Sequence, residues 1–382
     1  MKLGLDIGNS TVKGALLDDE NTLIANIKFP SVVTKVADSK YLSYPYEEDF
    51  YIQVVDSALE HFEGITAIGE KAINMPGYQE FDVTSTSYKA NNPITTALLF
   101  GALAEYVTED GQVDLKLAVT VPIVEAKTLG LIQQYNELLT GQHVVMIYRQ
   151  SGIVRMVVNV EQTMVLNEGQ AGFLGLLDNS DAHFRDAMTK VYESLDEDTD
   201  PVGSFEDFLI VDIGEGTTDL AVFRNKRFNP DFSYSVTRGY GNLLEDAISN
   251  ASRENLTIES RKELQKVLES TNKRRAERRE LWEHYVTPTK AAFVDTVVDT
   301  ILKTYGSRDY FDAIIFLGGG FSALTGYTVD IGQVLTRDES IFRELQKRLK
   351  ANQKSADLIF GVPAPYSQGI NERGLKQVLS RM

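Results

Sequence analysis

Two aspartates, Asp6 and Asp212, each close an apolar run just ahead of a glycine turn, in the stretches LDIGNSTVKGALL and VDIGEGTTDLAVF. Aligned on these aspartates, both stretches read Asp-Ile-Gly, two small or polar residues, Thr, and Ala four positions further on. The chemistry that suits such residues is phosphate binding. Backbone N–H groups of a tight turn cradle an anion where little side chain blocks approach, and Asn9-Ser10 and Glu215-Gly216 with Thr217-Thr218 form turns of that kind. A carboxylate beside each turn suits Mg2+, a hard cation that keeps several waters and is held through them by Asp6 and Asp212. Lys13, seven positions after Asp6, lies on the returning strand, from which an ammonium can reach a phosphate.

Two other phosphate motifs fit poorly. GEGTTD nearly matches the G-x-G-x-x-G dinucleotide fingerprint, but that motif opens a helix, whereas TDLAVF reads as a strand and Asp219 stands where the third glycine belongs. No G-x-x-x-x-G-K-[ST] run occurs. The remaining expectation is a pair of hairpins that face each other across a cleft and clamp phosphates from two sides.

The elements that must position these residues follow from the pattern. Residues 2–29 read as three strands in a meander, followed by strand candidates at FYIQVV and GITAI. NPITTALLFGALAEY carries apolar residues at helical spacing behind an Asn-Pro opening, and leads into the buried strand DLKLAVTVPI, which Pro122 ends. Asn167 is the expected N-cap of the helix NEGQAGFLGLL. The strand pattern restarts at Phe208, residues 242–305 are mostly helical, and AIIFLGGGFSAL is a buried strand running into three glycines. The second half thus replays the first. A chain of 382 residues exceeds the roughly 250–300 that one core supports, which suits two domains.

Composition narrows the partners. The net charge of −17 repels nucleic acid and anionic membrane alike, so contact with DNA is expected only through another protein. There is no cysteine, which excludes disulfides and thiolate chemistry and fits a reducing cytoplasm. His61, His143, His183 and His284 are too scattered to read as a metal cluster. The chain opens directly into a strand, with no room for a signal sequence, and no apolar run is long enough to span a membrane. ERGLKQVLSRM reads as a docked terminal helix rather than a membrane anchor, and the acidic run from Tyr192 to Phe208 as a solvated loop. The basic stretch NKRRAERRELWEHY reads as a solvated helix face, with a filament or adaptor contact as the sharper alternative.

Taken in order, LDIGNSTVKG, NEGQAGFLGLL, VDIGEGTTDLAVF, IIFLGGGF and SQGINERGL resemble the two phosphate hairpins, first hinge, adenosine segment and last hinge of the actin, heat-shock chaperone and sugar-kinase superfamily of two-domain ATPases. KFPSVV, AIGEKA and LAVTVP are further similar to segments of the bacterial plasmid-segregating actin-like proteins typified by ParM. The resemblance implies an α/β, two-domain actin-like fold, each domain a mixed β-sheet flanked by helices, with a nucleotide cleft between them. Residues 1–166 with 362–382 would form domain I and residues 167–361 domain II. It implies a cytoplasmic protein that binds ATP and Mg2+ and assembles head to tail with copies of itself into polar filaments. Hydrolysis after assembly would make those filaments unstable, and they would move plasmid DNA through a DNA-binding adaptor at a centromere-like site, without touching nucleic acid or membrane.

By the same resemblance, Asp6 and Asp212 hold the metal through water and Lys13 contacts phosphate, while Gly8, Asn9, Ser10, Thr11, Gly214, Glu215, Gly216, Thr217 and Thr218 line the phosphates. Glu168, three residues before Ala171, orients the attacking water, with Gln170 as the alternative. Gly318, Gly319 and Gly320 let the chain pass close to the nucleotide, and RGYGNLLEDAI, with Gly239 and with Asn242 in place of the usual aspartate, forms the ribose side. A sugar-kinase-like phosphotransferase and a chromosomal actin-like protein of cell shape or division are the rival readings. A chaperone is disfavoured by the short tail after Ser367.

Overall fold

The structure, a computed structural model, describes residues 1–80, 88–197, 199–270, 272, 276–330 and 332–382. The chain forms two compact units, Met1–Asp178 with Gly369–Met382, and Asn179–Gln368.

The first unit opens with the expected meander, β1 (Lys2–Ile7), β2 (Thr11–Leu17) and β3 (Leu23–Pro30). Next come β4 (Val32–Val36), β5 (Phe50–Asp56), β6 (Ile65–Ile68), the short helix α1 (Gly69–Ile73) and β7 (Gln79–Glu80). Helix α2 (Pro93–Ala104) starts where its sequence says it should: Asn92 Oδ1 accepts the Ile94 N–H at 2.9 Å, and Pro93 occupies a first-turn position where no donor is needed. Every residue from Thr95 to Ala104 is buried, as befits a helix apolar on all faces that is covered on both sides. The unit continues with β8 (Gly111–Val121), α3 (Ile123–Ala126), α4 (Leu131–Leu139), β9 (Gly141–Arg149), β10 (Gly152–Asn167) and α5 (Glu168–Leu176). Among the described residues its strands form one mixed sheet in the order β3-β2-β1-β8-β10-β9-β5-β6-β4-β7.

The second unit begins with α6 (Ala182–Glu193) and the hairpin β11 (Phe208–Ile213) and β12 (Thr218–Arg224), with β13 (Arg227–Phe228) and β14 (Tyr234–Val236) beside it. Helices α7 (Tyr240–Ser252), α8 (Arg261–Leu268) and α9 (Ala276–Thr304) follow, then β15 (Tyr310–Leu317), α10 (Gly319–Thr325), the small ribbon β16 (Thr328–Asp330) and β17 (Gln333–Leu335), α11 (Ser340–Ala351) and β18 (Ser355–Gly361). The sheet order is β13-β12-β11-β15-β18, with β14 also on β12. The run from Tyr192 to Phe208 is not the freely solvated loop its acidity implies: Tyr192, Val202, Phe205 and Phe208 are buried, and Val202 N–H donates to Asp200 Oδ1 at 2.9 Å. Four apolar anchors outweigh the charge pattern between them. Residue 198 of that run, and 273–275 of the basic stretch, lie outside the described residues.

Internal duplication is visible as topology. In each unit an antiparallel hairpin is extended by two parallel strands, β2-β1-β8-β10 in the first and β12-β11-β15-β18 in the second.

The chain returns to the first unit as α12 (Ile370–Leu379), the docked terminal helix expected from its sequence, with Leu375, Val378 and Leu379 buried against Ala15, Leu17 and Ala118. α12 also packs on α5, and two glycines let the backbones touch: a Cβ on Gly175 would overlap the Ile370 carbonyl oxygen, and one on Gly374 the Ala171 carbonyl oxygen. Arg373 and Asp178 add a half-buried ion pair at 3.2 Å. This packing keeps α5 in the first unit, so the division falls after Asp178 rather than after residue 166. The second division falls at Gly369 rather than 362, because Ser367 stays hydrogen-bonded to Gly318 in the second unit. Among the described residues no helix is long and apolar enough to cross a membrane.

Gly374→Ala is expected to destabilise the first unit by about 1–3 kcal/mol or more, since the added methyl meets backbone that cannot rotate away. Gly111→Ala, where a Cβ meets nothing within 4 Å, should stay within about 0.5 kcal/mol of the parent. Denaturant unfolding of the two variants side by side checks the pair.

Candidate functional site

In the first unit, β1, β8 and β10 run parallel, and their register aligns Leu5 with Val119 and Thr120 with Leu166. The carboxyl ends of three strands therefore finish together, at the edge where ligands of open α/β sheets bind. Asp6 sits there, 8% exposed, and its Oδ1 accepts a 2.6 Å hydrogen bond from Thr120 Oγ1. Beyond it the chain turns through Gly8, Asn9, Ser10 and Thr11, closed by the Gly8 N–H on the Thr11 carbonyl at 3.2 Å and held to Ser31 through the Ser10 carbonyl. Lys13 pairs directly with Asp6 across the hairpin, so both side chains leave the same face of the sheet.

Helix α5 starts one residue after β10 ends. Asn167 Oδ1 accepts the Gln170 N–H at 2.8 Å, and Gln170 Oε1 in return accepts from Asn167 N–H at 3.3 Å and Nδ2 at 2.7 Å. That reciprocal cap commits the Gln170 side chain to starting the helix. Glu168, the first residue of α5, instead meets a residue that the sequence reading did not single out: Lys89 Nζ lies 3.1 Å from Glu168 Oε1, with side-chain exposures of 2% and 14%. The same ammonium donates to the Thr120 carbonyl at 3.2 Å, and the Lys89 N–H donates to Glu125 Oε1 at 2.9 Å. Burial alone would lower the lysine's pKa. The negative charges of Glu168, Asp6 and Glu125, together with the hydrogen bond to Glu168, outweigh it and raise the pKa above the ordinary 10.5, so the ammonium stays charged. Removing one member of such a buried pair typically costs about 3–5 kcal/mol.

In the second unit the same plan recurs with different support. Asp212, also 8% exposed, pairs in parallel with Leu317 at the end of β15. The turn Gly214–Glu215–Gly216–Thr217 closes as its counterpart does, with the Gly214 N–H on the Thr217 carbonyl at 2.9 Å. Opposite Asp212, however, stands Asp219 where the first hairpin has Lys13. Two segments press on this turn from behind. At the start of α7, Tyr240 and Gly241 donate their N–H groups to the Gly214 and Glu215 carbonyls at 3.0 and 2.8 Å, and Thr218 Oγ1 donates to the Arg238 carbonyl at 2.9 Å. A Cβ on Gly239 would lie 2.5 Å from the Glu215 carbonyl oxygen, so only glycine admits this approach. Asn242 closes the first turn of α7 by accepting the Gly239 N–H at 2.9 Å. The other segment is Gly318–Gly320. Gly318 has a φ of 99°, a conformation that a side chain strains, and a Cβ there would also strike Asp212 Oδ1, while one on Gly320 would strike the Gly214 carbonyl. Gly319 lies against Gln368. Arg261, at the start of α8, stands 3.8 Å from Glu215 and 3.4 Å from Glu245, a further charged contact to this turn that the sequence did not flag.

The structure thus gathers Asp6, the 8–11 turn, Lys13 and Glu168 at one sheet edge of the first unit, and Asp212, the 214–218 turn, Gly239, Asn242 and Gly318–Gly320 at the matching edge of the second. Arg278 and Arg279 of the basic stretch are engaged locally, with Glu263 at 2.6 Å and with the Ser270 carbonyl and Glu283 at 3.0 and 3.5 Å. Among the described residues no group of three or more His, Cys, Asp or Glu could ligate a metal directly. Asp6 in the first unit and Asp212 in the second each offer carboxylate oxygens, donors of the kind that suits Mg2+ held through its own waters.

Comparison with known proteins agrees with this layout. Residues 4–170 match the family described as actin like proteins N terminal domain, and residues 210–327 match the family described as archaeal actin homologue MreB-like, C-terminal. No curated protein matches the sequence. Among solved structures, the actin-like protein Alp7A superposes with a TM-score of 0.67 at 16% identity, covering 100% of this chain and 96% of that one. An archaeal actin homologue gives 0.63 at 14% identity, covering 100% and 99%. Bacillus thuringiensis ParM with ATP gives 0.56 at 15% identity, covering 98% and 97%. At these identities the likeness is one of fold: two α/β domains of the actin type, each a mixed sheet flanked by helices.

Lys89 gives a pH prediction. Its folded pKa exceeds the unfolded one, so its stabilisation is complete below about pH 10 and is lost as pH rises through the folded value. Tyr135, whose pKa burial itself pushes up because desolvation disfavours the phenolate, acts in the same direction. Unfolding free energy from denaturant titrations should hold steady to about pH 10 and fall above it, and Lys89→Met should flatten that alkaline fall.

Proposed function

Residues 4–170 match an actin-like N-terminal domain and residues 210–327 an MreB-like C-terminal domain, and on that premise we propose that the chain is an actin-like protein that binds ATP with Mg2+, hydrolyses it, and assembles head to tail into polar, dynamic filaments. The observation that carries the reading is the repeated hairpin, each copy placing a buried aspartate beside a glycine turn at the carboxyl end of parallel strands. Bacillus thuringiensis ParM, of the same fold, was solved with ATP and with AMPPNP, which supports a nucleoside triphosphate as the ligand of these turns.

Phosphoryl transfer to water needs little covalent help from a protein; it needs charge neutralisation and an oriented nucleophile. The 8–11 and 214–218 turns would hold phosphate oxygens through backbone N–H groups, with Lys13 adding a positive charge on the first hairpin only. Asp6 and Asp212 would hold Mg2+ through its waters, and the ion, when bound, supplies neutralisation of phosphate charge. Glu168 would orient the attacking water; Gln170, already committed to its helix cap, is the weaker candidate. Gly239, Asn242 and Gly318–Gly320 would shape the nucleoside side. A head-to-tail contact that does not close generates a filament from one repeated interface. Such filaments would segregate plasmid DNA through a DNA-binding adaptor, which fits a chain of net charge −17.

The direct test is light scattering recorded together with phosphate release after ATP and Mg2+ are added, with ADP as control. Scattering should rise with ATP and decay as phosphate appears; turnover that requires a sugar acceptor would move the assignment to a phosphotransferase. Glu168→Ala should slow hydrolysis by about 10²–10⁴-fold while leaving ATP binding and assembly intact, and an unchanged rate would remove Glu168 from its role. Asp212→Ala should weaken both metal dependence and turnover, as read by phosphate release across a Mg2+ titration.

A further inference from the structure

We propose that Lys89 is a positioning residue for Glu168, fixing the carboxylate that would orient the attacking water. The inference rests on the reading of Glu168 given above. Its ground is geometric. Glu168 opens α5, and the helix cap there is made by Asn167 and Gln170, so the cap does not need the Glu168 side chain. That side chain is instead met by an ammonium brought from a distant segment, at 3.1 Å on Oε1.

Lys89 cannot wander. It lies in a short turn just ahead of α2, its backbone N–H is tied to Glu125 at 2.9 Å, and its Nζ is shared between Glu168 and the Thr120 carbonyl. A buried lysine is expensive unless it is paired and hydrogen-bonded, and the three elements β8, α3 and α5 supply acceptors for it. Thr120 then links the two halves of the cluster: its carbonyl accepts from Lys89 and its hydroxyl donates to Asp6 at 2.6 Å. Lys89 therefore sets the carboxylate of Glu168 relative to Asp6 through one intervening residue. It would touch neither nucleotide nor water, and its effect would pass entirely through Glu168.

The test is a double-mutant cycle on ATP hydrolysis with Lys89→Met, Glu168→Ala and the pair. Lys89→Met should lower kcat by about 10²-fold, as a misplaced reacting group does, and change KM for ATP by no more than about threefold. In the Glu168→Ala background the same substitution should lower kcat no further, because the group it positions is gone. Losses that multiply in the pair, or a kcat for Lys89→Met within about twofold of the parent, would overturn the proposal. Lys89→Gln keeps a neutral donor at that place and should recover part of the rate; if Lys89→Met does not fold, the cycle is run with Lys89→Gln, whose smaller loss of kcat should vanish in the Glu168→Ala background, and a loss that persists there would overturn the proposal. Glu168→Ala turning over at the parent rate is a separate outcome: it rejects the role of Glu168 itself and with it the proposal. A slow Glu168→Ala beside a fast Lys89→Met rejects the proposal alone.

Discussion

Parallel pairing of β1 with β8 and of β8 with β10 is the constraint on which the site depends. Parallel strands in register end at one edge, so three segments far apart in sequence deliver Asp6, Thr120 and the start of α5 to one place. A slip of one residue along β8 would turn Thr120 to the opposite face and leave Asp6 without its 2.6 Å donor. In the second unit, β11, β15 and β18 impose the same order, and there the edge carries Asp212 and then Gly318. The glycines follow from this convergence: where strand ends, a turn and the first residues of α7 and α10 meet, backbone approaches backbone and no Cβ fits.

The two units repeat a plan and differ where chemistry would differ. Both hairpins close with the same glycine-to-threonine bond, and both aspartates are equally exposed. The partner across the hairpin is a lysine in one and an aspartate in the other. Behind the turns, the first unit has a buried cluster of Lys89, Thr120, Glu125 and Glu168, and the second has helix starts, glycines and Arg261. Duplication accounts for the scaffold, and substitution within it for the division of tasks.

Much of this was legible in the amino-acid order, for local reasons. The two Asp-Ile-Gly turns, the Asn-Pro opening of α2, the Asn167 cap and the GGG stop after β15 are signals carried by neighbouring residues, and each appears where its pattern places it. Lys89 was not legible, because a lysine ahead of a helix looks like any solvated lysine until its partners, 31 and 79 residues away, close around it. Charge density also misled at 192–208, where Tyr192, Val202 and Phe205 anchor an acidic run that has no periodic pattern to betray burial. The assignment of α5 failed for a third reason: its contact with α12 relies on Gly175 and Gly374, and a glycine that permits close approach carries no mark of what it approaches.

The first unit is discontinuous, and this has a consequence for the order of events during synthesis. Its last helix, α12, supplies Leu375, Val378 and Leu379 to the core beneath β1, β2 and β8, but leaves the ribosome only after all of the second unit has been made. The second unit, Asn179–Gln368, is a single stretch and can complete its core while the first still exposes the apolar face of that sheet. Synthesis therefore begins the N-terminal unit first and finishes it last, and throughout the interval between, the face formed by Ala15, Leu17 and Ala118 has no α12 to cover it.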